Sequence, residues 1–91
     1  MDSITLLREL VSINSVFPNE DQLGEYLEMI LIENGFDVAR HEIAPGRFNV
    51  VAQRGSVGLP VLLYAHMDTV PAYGRWDNNP SELTESNNRL Y

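Results

Sequence analysis

Two amphipathic helices are predicted in the first third of the sequence. In the first, capped by Ser3 and running to about Ile13, apolar residues return with the period of about 3.6 residues that marks a helix with one buried face. Pro18 then interrupts the pattern, because proline cannot continue a helix. The second helix is capped by Asn19 and stops at Gly35. The predicted buried faces are Ile4, Leu7, Leu10 and Val11 in the first helix and Leu23, Leu27, Ile30 and Leu31 in the second.

The middle of the chain has the patterns of β-strands. Three strands are predicted, at residues 36–43, 48–53 and 61–65, with an Ala-Pro-Gly turn at 44–46 between the first two. Segment 61–65 is apolar at every position, as expected for a central strand with helices over both faces. A long polar loop follows at 71–88, and residues 89–91 are predicted to begin another strand.

The order α-α-β-β-β predicts an α/β fold in which helices pack on a mixed sheet. The 91 residues are enough for one domain at most. Two helices cannot cover both faces of such a sheet, so we expect this domain to be incomplete.

Charge and composition exclude some classes of partner. The formal charge is −7, with thirteen acidic residues against six arginines and no lysine, which argues against nucleic acid or an anionic membrane as a partner. No secretory signal is recognisable, and the longest apolar run is far shorter than the roughly 20 residues of a membrane span. The expected location is therefore the cytoplasm, and the absence of cysteine is compatible with a reducing cytosol. Five acids are expected to form a solvated face of the second helix: Glu20, Asp21, Glu25, Glu28 and Glu33.

The candidate chemistry lies at His66 and Asp68, directly after segment 61–65. Side chains two residues apart on a strand share a face, so the Asp68 carboxylate could hold the His66 imidazole. A metal-binding histidine usually gives its second ring N–H to such a partner. A histidine at a strand end is also often a hydrogen-bonded structural residue, so the pair alone leaves both roles open.

The residues around this pair carry a family resemblance. The run Leu-Tyr-Ala-His-Met-Asp-Thr-Val-Pro at 63–71, followed by Trp76, Pro80 and Arg-Leu-Tyr at 89–91, resembles the N-terminal part of the dinuclear zinc hydrolases. This family includes acetylornithine deacetylase, succinyl-diaminopimelate desuccinylase, aminoacylase, glutamate carboxypeptidase and several dipeptidases. The resemblance covers the whole chain, and it implies a three-layer α/β/α zinc-peptidase-like catalytic domain of which residues 1–91 are the N-terminal fragment.

The resemblance also implies roles for single residues. His66 matches the first zinc ligand, and Asp68 matches the active-site aspartate that orients this histidine without binding metal. The complete enzyme is expected to be a homodimer that uses two zinc ions, with cobalt as a substitute, to hydrolyse amide bonds of N-acyl amino acids or small peptides.

The chain departs from the family in two respects. Ser81 stands where family members usually have phenylalanine. The family's Gly-Arg-Gly turn, its metal-bridging aspartate, the general-base glutamate and the dimerisation domain would all come after Tyr91. Asp77, Glu82 and Glu85 lie in the polar loop, where a solvated role is expected. We therefore expect this chain alone to be catalytically silent.

A second class of function remains open from the sequence. The chain could be a free-standing, non-catalytic α/β module that binds a partner through an open sheet edge. An enzyme fragment is expected instead to expose apolar sheet surface and to self-associate.

Overall fold

A computed structural model describes all residues from Met1 to Tyr91. Its elements, in chain order, are α1 (Ser3–Ser12), α2 (Asp21–Glu33), β1 (Asp37–Ala44), β2 (Arg47–Gln53), β3 (Glu85–Ser86) and β4 (Arg89–Leu90). The two predicted helices and the first two predicted strands are therefore confirmed, with small shifts at their ends. No helix is both long enough and apolar enough to cross a bilayer.

The caps of both helices differ from the sequence prediction. Asp2, not Ser3, caps α1, and its carboxylate accepts a hydrogen bond from the Thr5 backbone N–H at 2.8 Å. This bond lowers the pKa of Asp2. Glu20, not Asn19, occupies the N-cap position of α2, and its side chain makes no capping hydrogen bond there. In both cases the observed cap lies one residue from the predicted cap, a shift that periodicity alone does not resolve.

The two helices are joined directly by a side-chain hydrogen bond. The hydroxyl of Tyr26 on α2 donates to the carboxylate of Glu9 on α1. That bond is the main reason why the pKa of Tyr26 is raised to about 12.

Strands β1 and β2 form an antiparallel hairpin against which α2 packs. The register runs from Asp37 opposite Gln53 to Ala44 opposite Arg47, with an irregularity between Glu42 and Ala44. At the turn, Gly46 has a φ of 73°, a conformation that glycine adopts without steric cost.

Helix α2 approaches the hairpin closely at Gly24. A Cβ atom at this position would lie 2.8 Å from two ring atoms of Phe48 on β2. The Phe48 ring is covered on another side by the guanidinium of Arg40, 4.4 Å from its centroid, and Arg40 also forms an ion pair with Glu28. The absence of a side chain at Gly24 is thus what lets the Phe48 ring lie against the helix.

Segment 61–65 is not a strand, which corrects the prediction of a third, central strand. Its first four side chains are 87–90% exposed, and β2 pairs only with β1. An extended backbone forms a strand only when a neighbouring strand supplies hydrogen-bond partners, and none of the 91 residues does so here. The chain therefore shows two helices and a hairpin rather than the α-α-β-β-β order, and the three-layer domain is not formed by these residues alone.

The C-terminal residues form a second small hairpin. The strand predicted at 89–91 is confirmed as β4, but its partner β3 lies within the stretch predicted as loop. Arg8 of α1 holds this hairpin, since its guanidinium donates to the Leu83 backbone oxygen at 3.0 Å and pairs with Glu85 at 2.7 Å. Glu85 is thus an ion-pair partner, whereas Asp77 and Glu82 are exposed as expected.

The buried core is small. Only five residues are buried, and the two large apolar ones are Leu23 on α2 and Leu83 beside the second hairpin. Most apolar surface of segment 61–65 faces solvent. Self-association through that surface remains a prediction.

We expect Gly24→Ala to destabilise the fold. Overpacking against Phe48 should cost about 1–3 kcal/mol, offset in part by the gain of about 1 kcal/mol in helix propensity. Urea unfolding followed by circular dichroism measures the difference. In a Phe48→Leu background the same substitution should cost clearly less. An equal loss in both backgrounds would show that the contact with Phe48 is not the cause.

Candidate functional site

The segment that carries His66 and Asp68 is attached to the loop between α1 and α2. The Thr69 N–H donates to the Ser15 backbone oxygen at 2.9 Å, and the Phe17 N–H donates to the Thr69 oxygen at 3.1 Å. These two bonds form a parallel bridge between Val16 and Thr69. The bridge fixes the position of the candidate site relative to the N-terminal helices.

Met67 supplies an apolar attachment to the same segment. Its Cε atom lies 3.7 Å from the position that a Cβ on Gly24 would take, so Met67 reaches α2. The residue between His66 and Asp68 thus anchors the segment on the helix, while its neighbours remain accessible.

His66 and Asp68 are brought together, although not in the manner that the spacing predicts. The nearest acceptor to His66 Nδ1 is the backbone oxygen of Asp68, at 2.9 Å, whereas the carboxylate Oδ1 lies at 3.5 Å. A neutral imidazole that donates from Nδ1 keeps its Nε2 lone pair for a ligand. The His66 side chain is 78% exposed and that of Asp68 47% exposed, so a ligand could reach both.

The residues present do not form a complete metal site. No group of three or more histidine, cysteine, aspartate or glutamate side chains in the chain is arranged to hold a metal ion. A catalytic zinc site has three protein ligands, and His66 alone provides one.

An open cavity of about 770 Å³ lies between α2, β2 and residues 62–68. Its lining is mostly apolar and includes the four β2 residues 49–52 together with residues 62–65. His66 and Asp68 also line it, as do Glu20 and Arg47. The cavity therefore occupies the space between β2 and the segment that was predicted to join its sheet.

Glu20 and Arg47 form a partly buried ion pair beside this cavity. Glu20 Oε1 accepts from Arg47 Nε at 2.8 Å and lies 2.7 Å from Arg47 Nη2, while the guanidinium lies 4.6 Å from the Phe17 ring centroid. The Glu20 residue is only 5% exposed, and its Oε2 atom is buried without a hydrogen-bond partner. The hydrogen bond from Arg47 lowers the pKa of Glu20.

Sequence reasoning missed this pair. Glu20 was assigned to the solvated face of α2, but it lies at the helix start and is buried against β2. Its partner is 27 residues away along the chain, beyond the reach of any local pattern. The only available signal was an arginine directly after the Pro-Gly turn, which does not identify a partner.

The chain is similar to proteins of bacteria and fungi, among them two acetylornithine deacetylases and a probable carboxypeptidase. It is 41% identical over 85 residues to the acetylornithine deacetylase of Vibrio vulnificus, which covers 88% of this chain and 22% of the relative. It is 34% identical over 90 residues to the acetylornithine deacetylase of Vibrio cholerae, covering 90% and 24% respectively. It is 37% identical over 67 residues to a probable carboxypeptidase of Aspergillus clavatus, covering 72% and 16%. No family model and no solved structure matches the chain.

These relatives confirm the family resemblance found at residues 63–71. The chain belongs to the peptidase and deacylase family that includes the acetylornithine deacetylases, and it corresponds to the N-terminal part of that family. It spans 22% of the length of the Vibrio vulnificus relative.

The Glu20–Arg47 pair predicts a pH dependence of stability. Because the pKa of Glu20 is lower in the folded chain than its ordinary value of 4.5, the stabilisation is fully present above that value. It should be lost as the pH falls through the lower folded-state pKa. Thermal unfolding of Glu20→Gln should therefore show a lower Tm than the unsubstituted chain at pH 7, and the difference should shrink on acidification.

Glu42→Gln is the matched control, since Glu42 is exposed on β1 and makes no ion pair. It should leave the pH dependence of Tm unchanged. A constant difference in Tm between Glu20→Gln and the unsubstituted chain from pH 7 to about pH 3 would contradict the assignment.

Proposed function

We propose that this chain forms part of a metal-dependent hydrolase that cleaves amide bonds in N-acyl amino acids or small peptides. The observation that carries the proposal is the geometry at residues 66–68. His66 Nδ1 lies 2.9 Å from one acceptor of Asp68 and 3.5 Å from another, which leaves Nε2 available on an exposed ring. The names of the relatives, deacetylase and carboxypeptidase, both describe hydrolysis of such bonds.

His66 is proposed as the one metal ligand that these residues contribute, with zinc as the expected ion and cobalt as a substitute. Asp68 is proposed to orient the His66 ring rather than to bind metal. The Nδ1 contacts support this division of roles, because a metal-binding histidine is normally held through its other nitrogen. The remaining ligands and the general base would have to come from outside the 91 residues.

The proposed substrate is an N-acyl amino acid of the acetylornithine or succinyl-diaminopimelate type. Support comes from the two Vibrio relatives named acetylornithine deacetylase. No relative named here is a non-catalytic binding module, so nothing favours that alternative over the hydrolase.

Several expectations stay predictions. They are the silence of this chain on its own, the homodimer of the complete protein, the lack of a nucleic-acid or membrane partner, and the cytoplasmic location. The first follows from the single ligand that the chain provides, since poor metal affinity is expected from one histidine.

Metal binding and hydrolysis by the complete protein provide the test. His66→Ala should lower the bound metal and reduce hydrolysis of N-acetylornithine by more than about 100-fold, because a ligand is lost. Asp68→Asn should reduce metal affinity or activity by about 10–100-fold, the usual effect of removing a group that orients a ligand. Metal analysis and steady-state kinetics measure both.

His41→Ala is the control, since His41 is the other histidine of the chain and lies exposed on β1. It should leave metal content and turnover unchanged. Normal metal content and turnover in His66→Ala would contradict the proposal. Zinc-dependent turnover by the purified 91-residue chain would refute its expected silence.

A further inference from the structure

The backbone that carries the candidate site has one hydrogen-bonded attachment to the rest of the fold, beside the apolar contact of Met67 with α2. Between Gly55 and Asn78 the only backbone-to-backbone hydrogen bonds are the two between Thr69 and the α1–α2 loop, with Ser15 and Phe17 as partners. The position of His66 and Asp68 therefore depends on where that loop is held. A side chain that holds the α1–α2 loop in place therefore also influences the positions of His66 and Asp68 without contacting them.

The loop itself is well supported at its start. Ser15 is buried, and the Val16 N–H donates to the Asn14 side chain at 3.1 Å. The Asn19 N–H donates back to the Val16 oxygen at 2.7 Å, which closes a turn around Phe17 and Pro18. The turn brings Phe17 and Glu20 within reach of the same side chain on β2.

That side chain is Arg47, the first residue of β2. Its guanidinium lies over the Phe17 ring at 4.6 Å from the centroid and also binds Glu20 Oε1 through two nitrogens. Both nitrogens contact the same carboxylate oxygen, so the planar guanidinium is held at two of its atoms, which the single ammonium of a lysine would not reproduce. Arg47 thus connects both ends of the 17–20 turn to the hairpin.

The pair is also sensitive to loss of the arginine. Glu20 is buried, its Oε2 has no hydrogen-bond partner, and Arg47 is the only cation that pairs with it. Removing Arg47 would leave an uncompensated buried carboxylate, whereas removing the ring of Phe17 would not. We then expect the 17–20 turn to move toward solvent, because water would hydrate the unpaired Glu20 carboxylate.

We propose that Arg47, together with Glu20 and Phe17, is a positioning group for the candidate site. Arg47 fixes the position of the α1–α2 loop. The loop fixes the position of Thr69 through two backbone hydrogen bonds, and Thr69 in turn fixes the positions of His66 and Asp68. The catalytic meaning of this connection rests on the proposed function, but the physical connection does not. None of the three residues is assigned a contact with substrate or metal.

Nuclear magnetic resonance of the 91-residue chain tests the physical connection. In Arg47→Met, amide exchange at Thr69 and Phe17 should accelerate by about tenfold or more, while the β1–β2 hairpin amides keep their protection. The Nδ1 signal of His66 should shift, because its hydrogen bond to Asp68 is no longer held. Arg47→Lys, which keeps the charge and loses the planar fork, should restore these readouts only in part.

Arg54→Met is the matched control, since Arg54 also lies over an aromatic ring, 5.7 Å from the Phe36 centroid, but far along the chain from the loop. It should leave Thr69, Phe17 and His66 unchanged. If Arg47→Met unfolds the chain, Phe17→Leu is tested instead. This variant removes the stacking of Arg47 on the Phe17 ring and leaves the Glu20 carboxylate paired. Unchanged exchange at Thr69 in a folded variant, or equal loosening of the hairpin, would overturn the proposal.

Kinetics of the complete gene product separate this inference from the proposed function. Arg47→Met should lower kcat by about tenfold or more with a much smaller change in KM, as expected for misplaced rather than missing catalytic groups. If His66→Ala has no effect on hydrolysis, the proposed function fails and the exchange data still decide the connection. If His66→Ala abolishes hydrolysis while Arg47→Met changes neither kcat nor Thr69 exchange, only this inference fails.

Discussion

Backbone pairing is the constraint on which the rest of this structure depends. Where β1 and β2 satisfy each other's N–H and C=O groups, the chain forms a hairpin with a helix packed on it. Where no neighbouring strand is available for pairing, residues whose sequence is equally typical of a strand do not form one and remain exposed. Segment 61–65 is more apolar than either strand of the hairpin, yet its side chains face solvent. An apolar segment is able to be buried, but it is buried in a sheet only when a neighbouring strand pairs with its backbone.

The predictable part of the fold is the part with local causes. Helix periodicity located α1 and α2, and the Ala-Pro-Gly sequence located the turn whose Gly46 has a positive φ. His66 and Asp68 are also close, as their sequence proximity allows, but the closer acceptor is a backbone oxygen and not the carboxylate that the strand spacing predicted. Each of these features is set within a few residues along the chain.

The features that sequence reasoning missed have distant causes. The pairing of Glu20 with Arg47 depends on how α2 and β2 pack, and the failure of segment 61–65 to form a strand depends on a neighbour that the 91 residues do not supply. The approach of α2 to the hairpin depends on Gly24 lying opposite the Phe48 ring. No single-sequence pattern contains these relations, because each joins elements whose mutual placement is a result of folding.

The openness of segment 61–65 has a consequence for the lifetime of the chain. Proteases bind their substrates as extended backbone with accessible side chains, and Leu63 and Tyr64 present both, at 90% exposure. A cut there would leave the helices and the hairpin on one piece and His66 and Asp68 on the other. The two pieces would then be held together by the backbone bonds of Thr69, by Met67 against α2 and by the contacts of Arg8 with the second hairpin. In the structure of these 91 residues, the stretch of chain leading to the candidate site is therefore among those most open to degradation.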